Sequence, residues 1–120
     1  MDCKRAVIIP GFVSTLFSLR AVSLTSIYLG SPAASVISNC LATNPGIKIL
    51  YLDDNFFNDD DARLFANSLR SNKNLARLDL RDNGITYSGI KTLYKSIFDD
   101  QNLNTINDSN CTCKLELFAE

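Results

Sequence analysis

Leu75-Ala-Arg-Leu78-Asp-Leu80-Arg-Asp-Asn83-Gly-Ile85 is the stretch that decides the fold. Its first half alternates apolar and polar residues, the pattern of a strand with one buried face. Asparagine and glycine then end the alternation with turn chemistry. Beyond them Ile90, Leu93, Tyr94 and Ile97 fall at helical spacing. The segment therefore reads as one strand, one turn and one helix.

Placed against itself at an offset of 28 residues, the chain repeats this unit. Asn44, Leu50, Leu52, Asp54, Asn55 and Ser68 return as Asn72, Leu78, Leu80, Asp82, Asn83 and Ser96. The apolar positions follow, with Ile47, Phe57, Ala62, Phe65 and Leu69 falling on Leu75, Ile85, Ile90, Leu93 and Ile97. The register extends back to Asn39 and Leu41, and forward to Leu103 and Ile106. It predicts strands near 20–25, 48–53, 76–81 and 104–108, with helices near 32–43, 59–71 and 87–99. Ser31-Pro32, Asn58 and Thr86 are the expected helix starts. Asp59, Asp60 and Asp61 place negative charge in a first turn, where the helix dipole favours it.

Strands alternating with helices call for an α/β fold with parallel strands, because each crossover helix returns the chain to the same end. A fixed period then stacks neighbours in sequence and curves the sheet, with strands inside and helices outside. About four repeats fit: 19–46, 47–74, 75–102 and a partial 103–113. Residues 1–18 read as a degenerate N-terminal segment or cap, and 114–120 as a C-terminal tail.

Leu75-x-x-Leu78-x-Leu80-x-x-Asn83-x-Ile85 resembles the leucine-rich-repeat signature at every specified position. Ile47-x-x-Leu50-x-Leu52-x-x-Asn55-x-Phe57 matches it with apolar exchanges. The period near 28 and Gly89, four residues after Ile85, resemble the ribonuclease-inhibitor-like subclass. The resemblance implies a solenoid, a protein-binding role, and amides of Asn55 and Asn83 that bond neighbouring turn backbones in a ladder. That subclass also includes GTPase-activating and immune-receptor relatives, which makes regulation of a small GTPase the alternative function. The first unit, from Leu19 to Leu29, lacks the asparagine, and the last puts Cys111 in its place. Such ends fit terminal repeats, and equally a piece of a longer scaffold.

If the leucines face the core, Ile49, Tyr51, Asp53, Arg77, Asp79, Arg81 and Thr105 face the concave surface. These are the expected partner-binding residues. Asp53 and Arg81, one period apart, could instead simply pair with each other. Tyr51 beside Ile49 is the kind of aromatic anchor that binding hot spots use.

Other chemistry is poorly supplied. The chain holds no histidine, and 12 basic against 13 acidic residues give a net charge of −1, too weak a field for nucleic acid. No glycine-rich phosphate loop or nucleophile elbow is present, so we expect no catalysis and no cofactor. The acidic cluster 53–61 lacks the spacing of a calcium loop. Cys111-Thr-Cys113 lacks the further ligands of a zinc site, so no metal is expected. Residues 6–17 form an apolar run that is either the first repeat's approach or a signal peptide. The first reading implies a cytoplasmic protein and the second a secreted one, whose sequons at Asn107 and Asn110 would be glycosylation acceptors. No run is long enough for a membrane span. The partner expected is a protein, with self-association possible through apolar ends at 1–20 and 111–118.

Overall fold

The computed structural model describes residues 10–97 and 113–117. They form an α/β fold: α1 (Pro10–Leu16), β1 (Ala21–Ser23), α2 (Ser31–Ala42), β2 (Ile49–Tyr51), α3 (Asp59–Ser71), β3 (Arg77–Asp79), α4 (Tyr87–Ile97) and β4 (Lys114–Glu116). The strands make one parallel sheet in the order β1-β2-β3-β4. Ala21 pairs with Ile49, and Ile49 with Arg77, so the first two steps are 28 residues each.

The core follows the apolar pattern. Leu50, Leu52, Leu78 and Leu80 point inward from the strands onto Ile37, Leu41, Phe65, Leu69 and Leu93 of the helices. Phe57 meets Phe65 edge-on, with ring centroids 5.2 Å apart, an arrangement favoured by the ring quadrupoles. Val13 and Phe17 are fully buried and α1 packs on α2, so this part of the expected apolar end is covered.

Short strands leave the turns with backbone groups that no strand or helix can satisfy. Two asparagines supply the partners. The Oδ1 of Asn55 accepts from the N–H groups of Leu29 at 2.9 Å and Ile27 at 3.2 Å. Its Nδ2 donates to the carbonyls of Leu24 and Leu52, each at 3.0 Å, and Asp53 at 3.2 Å. Asn83 repeats the arrangement one unit on, accepting from Phe57 N–H and donating to Leu52, Leu80 and Arg81. The residue before each asparagine is left-handed: φ is 57° at Asp54 and 58° at Asp82, with Ser26 at 59° in the same place of the first unit. Asp tolerates that region better than most residues. At the other end of the unit, buried Asn72 donates to Leu41 and accepts from Asn74 and Leu75 N–H, locking the turn from helix to strand.

The helix starts differ in part from the sequence reading. Asn58 caps α3 as expected and forms a capping box with Asp61, each side chain taking the other's backbone N–H at 3.0 Å. Asp61 also accepts from the hydroxyl of Ser31. That hydroxyl does not cap α2, because the helix already includes Ser31 and its N-cap is Gly30. Thr86 immediately precedes α4 as expected, and its carbonyl accepts from Ile90 N–H. Its hydroxyl donates to Asp59, and its N–H donates to the same carboxylate at 2.7 Å. Asp59 thus ties the start of α3 to that of α4. Gly89 is needed there, because a Cβ would come within 2.5 Å of Asp59 Oδ1 and 2.7 Å of Ile85 Cγ2.

The fourth strand is the main correction. Arg77 pairs with Lys114, a step of 37 residues where 28 was expected. Segment 114–116, assigned to a tail, therefore occupies the sheet position expected for 104–108, which lies outside the described residues.

Two outcomes follow. Asn55→Ala should lower the unfolding free energy by about 2–4 kcal/mol, because it strips partners from several buried backbone groups at once; urea denaturation measures it. Hydrogen bonds from Thr86, side chain first and backbone second, hold the Asp59 carboxyl below the usual carboxylate range. A lowered folded pKa gives stability that is present above the unfolded value of about 3.9 and lost as pH falls through the folded one. The stability gap between the wild type and Asp59→Asn should therefore close as urea melts are moved from pH 6 to below about pH 4.

Candidate functional site

Strand alternation leaves one sheet face outside the core, and the register arranges its side chains in rows. Ala21, Ile49, Arg77 and Lys114 form the first row, and Ser23, Tyr51, Asp79 and Glu116 the second. Thr25, Asp53 and Arg81 continue one step beyond the strands. Ile49, Tyr51, Asp53, Arg77 and Arg81 are all half-buried here, so five of the expected residues share one surface. Thr105 lies outside the described residues, and Lys114 stands beside Arg77 where Thr105 was expected.

The β3–β4 half of this face is a charge network. Asp79 and Glu116 lie directly opposite one another, which is unfavourable for two carboxylates unless cations intervene. Arg77 pairs with Glu116 through both Nε and Nη2. Arg81 grips Asp79 through Nε at 3.0 and 3.2 Å and Nη2 at 2.7 Å, and reaches Glu116 at 3.7 Å. Its backbone N–H adds a further bond to Asp79. Hydrogen bonding and charge from Asp79 push the Arg81 guanidinium further above its ordinary value.

Two expectations change as a result. Asp79 is 1% exposed and fully engaged, so it organises the face rather than meeting a partner. Arg81 takes Asp79 and Glu116, while Asp53 accepts from Thr25 Oγ1 at 2.8 Å, so the expected Asp53–Arg81 pairing gives way. Glu116 is the residue the repeat reading missed. The alternation of Cys113, Leu115 and Leu117 with Lys114 and Glu116 was the signal that could have found it.

The β1–β2 half is less charged, with Ile49 and Tyr51 beside Ala21 and Ser23. Elsewhere, a cavity of about 300 Å³ lies between α1 and α2, lined by Ser14, Val36, Asn39, Cys40 and Thr43. Burial pushes the Cys40 thiol up, which leaves it a poor nucleophile. Cys113 is buried and pushed up to about 12 by the same desolvation. Among the described residues no group of three or more His, Cys, Asp or Glu side chains is placed to hold a metal, and no helix is long and apolar enough to cross a membrane.

No family model matches the chain, and no curated protein matches it. Among solved structures it is similar to "Leiomodin-1 Actin-Binding Site 2 (ABS2)", with a TM-score of 0.75 and 18% identity. The match covers 96% of this chain and 65% of that one, so this chain spans only part of that protein's length. At this identity the likeness is one of fold.

The charge network predicts a local effect. Glu116→Ala should release β4, and the amide of Leu80, which donates to the Glu116 carbonyl at 2.8 Å, should exchange at least about tenfold faster. The Leu52 amide, bonded to Asp79 on the other side of β3, should keep its rate. Hydrogen exchange resolved by residue checks both.

Proposed function

We propose that the chain is a leucine-rich-repeat solenoid of the ribonuclease-inhibitor-like kind, working as a non-catalytic module that binds a protein partner. The family reading is supported by the constant 28-residue step across β1–β2–β3 and by the side-chain amides of Asn55 and Asn83 bonding the turns. The binding reading is carried by one observation: Ile49 and Tyr51 stay half-exposed on the sheet face away from the core, while both carboxylates of the β3–β4 half are already taken by its arginines. An aromatic and an aliphatic side chain on a rigid strand lose little conformational freedom when covered, which suits an anchor. The structural neighbour is described as an actin-binding site, and that agrees with a protein ligand for this fold without naming one here.

Charged groups then serve at the edge of the contact. Asp53 and Arg77, both partly exposed, would set orientation more than affinity. Protein is the partner class; the composition favours neither nucleic acid nor an anionic membrane.

A photo-crosslinking residue at Tyr51 should trap a discrete protein adduct in cells that express the chain, and one at Lys91, on helix α4, should not. With the trapped partner purified, Tyr51→Ala should weaken binding by roughly tenfold or more and leave the circular dichroism spectrum unchanged. Stronger capture from Lys91, or an unchanged affinity, contradicts the proposal.

A further inference from the structure

The turns that leave β1 and β2 carry a second surface. Tyr28 and Phe56 hold the same place in successive units, and their rings stack with centroids 5.9 Å apart and planes 22° apart. Both stay largely outside the core, 59% and 47% exposed. Beside them lies a recess of about 250 Å³ lined by Ser26, Tyr28, Asp54, Asn55 and Phe56. Tyr28 has a φ of 64°, a conformation that bulky residues rarely adopt. Asn55 holds this corner, its Oδ1 accepting from Ile27 and Leu29 N–H on either side of Tyr28.

The recess carries one carboxylate. Asp54 lines it, and its Oδ2 accepts the Ser26 hydroxyl at 2.6 Å. Asp82 follows at the same place in the next unit and is exposed, and Asp53 adjoins Asp54. The nearby cation, Arg81, is held by Asp79 and Glu116. Arg20 and Lys48 precede their strands and so lie at the far ends of β1 and β2. A flat aromatic face and a carboxylate side by side match one protein group best, because a guanidinium is planar, stacks on rings and carries a permanent charge.

We infer that this recess binds an arginine side chain of a partner protein, the guanidinium stacking on the Tyr28–Phe56 pair with its charge against Asp54. The site extends the proposed protein-binding role from the sheet face to the adjoining turns. It does not depend on Tyr51.

The test titrates the ¹⁵N-labelled chain at low salt with acetyl-Gly-Arg-Gly-amide and with its citrulline counterpart, which keeps the shape and loses the charge. The arginine peptide should give saturable amide shifts centred on residues 26–28 and 54–56, with a Kd on the order of 10 mM. The citrulline peptide should bind at least about fivefold more weakly. Asp54→Asn keeps an acceptor for Ser26 and suits a left-handed backbone, so it should fold and still weaken the arginine peptide by about threefold or more. Phe56→Leu should weaken it similarly, and Tyr51→Ala should not change it. Equal binding of both peptides, undiminished binding by Asp54→Asn, or no saturable shift at these residues overturns the inference. Because Tyr51→Ala is silent here, failure of this site and failure of the sheet-face proposal give different results.

Discussion

The asparagine amide inside each turn is the interaction on which the rest of the structure depends. A three-residue strand followed by a left-handed corner cannot satisfy its own backbone, and buried unsatisfied groups cost about 1–3 kcal/mol each. One carboxamide has the right inventory for the task, with an acceptor and two donors on a short stem. Asn55 uses all of it, bonding the turn before it and its own. Because the carboxamide reaches back one unit, each turn holds its neighbour in register. Asp would lack the donors, and Gln would place them a methylene too far.

That register determines what the surface can do. Steps of 28 residues put Ile49 beside Arg77 and Tyr51 beside Asp79, so residues far apart in sequence become rows on one face. The same spacing stacks Tyr28 on Phe56 at the turns. Function then rests on which positions of a row are apolar, charged or already paired. Asp79 shows how far pairing matters. Its neighbours on β4 turned an expected contact residue into an internal one, since a carboxylate buried to this degree is tolerable only with Arg81 attached.

Much of this was legible in the sequence. Helix α3 spans the residues that its periodicity and its Asn58 cap indicate, and β1, β2 and β3 fall inside their expected ranges, because local pattern and packing agree there. Ser31 misled by one residue, because α2 takes Gly30 as its N-cap; the bonds from Ser31 to Asp61 and from Thr86 to Asp59 were not foreseen. Asp61 and Asp59 come from the adjacent helix, and contacts across units have no local sequence signal. The fourth strand was misplaced because a fixed period cannot announce its own interruption: the step to β4 is 37 residues. With it went Glu116, and therefore the pairing of both arginines. Helix α1 was passed over for want of a clear period, yet Val13 and Phe17 complete the core at that end.

The side-chain amide protons of Asn55 and Asn83 report on the governing interaction directly. Transferred to D₂O, their Nδ2 protons should persist in ¹⁵N–¹H spectra after those of Asn39 and Asn67, exposed on the helices, have exchanged. Protection at both turn positions is the result this account predicts. Loss of all four at the same rate would show that the carboxamides do not bond the turns, and would contradict it.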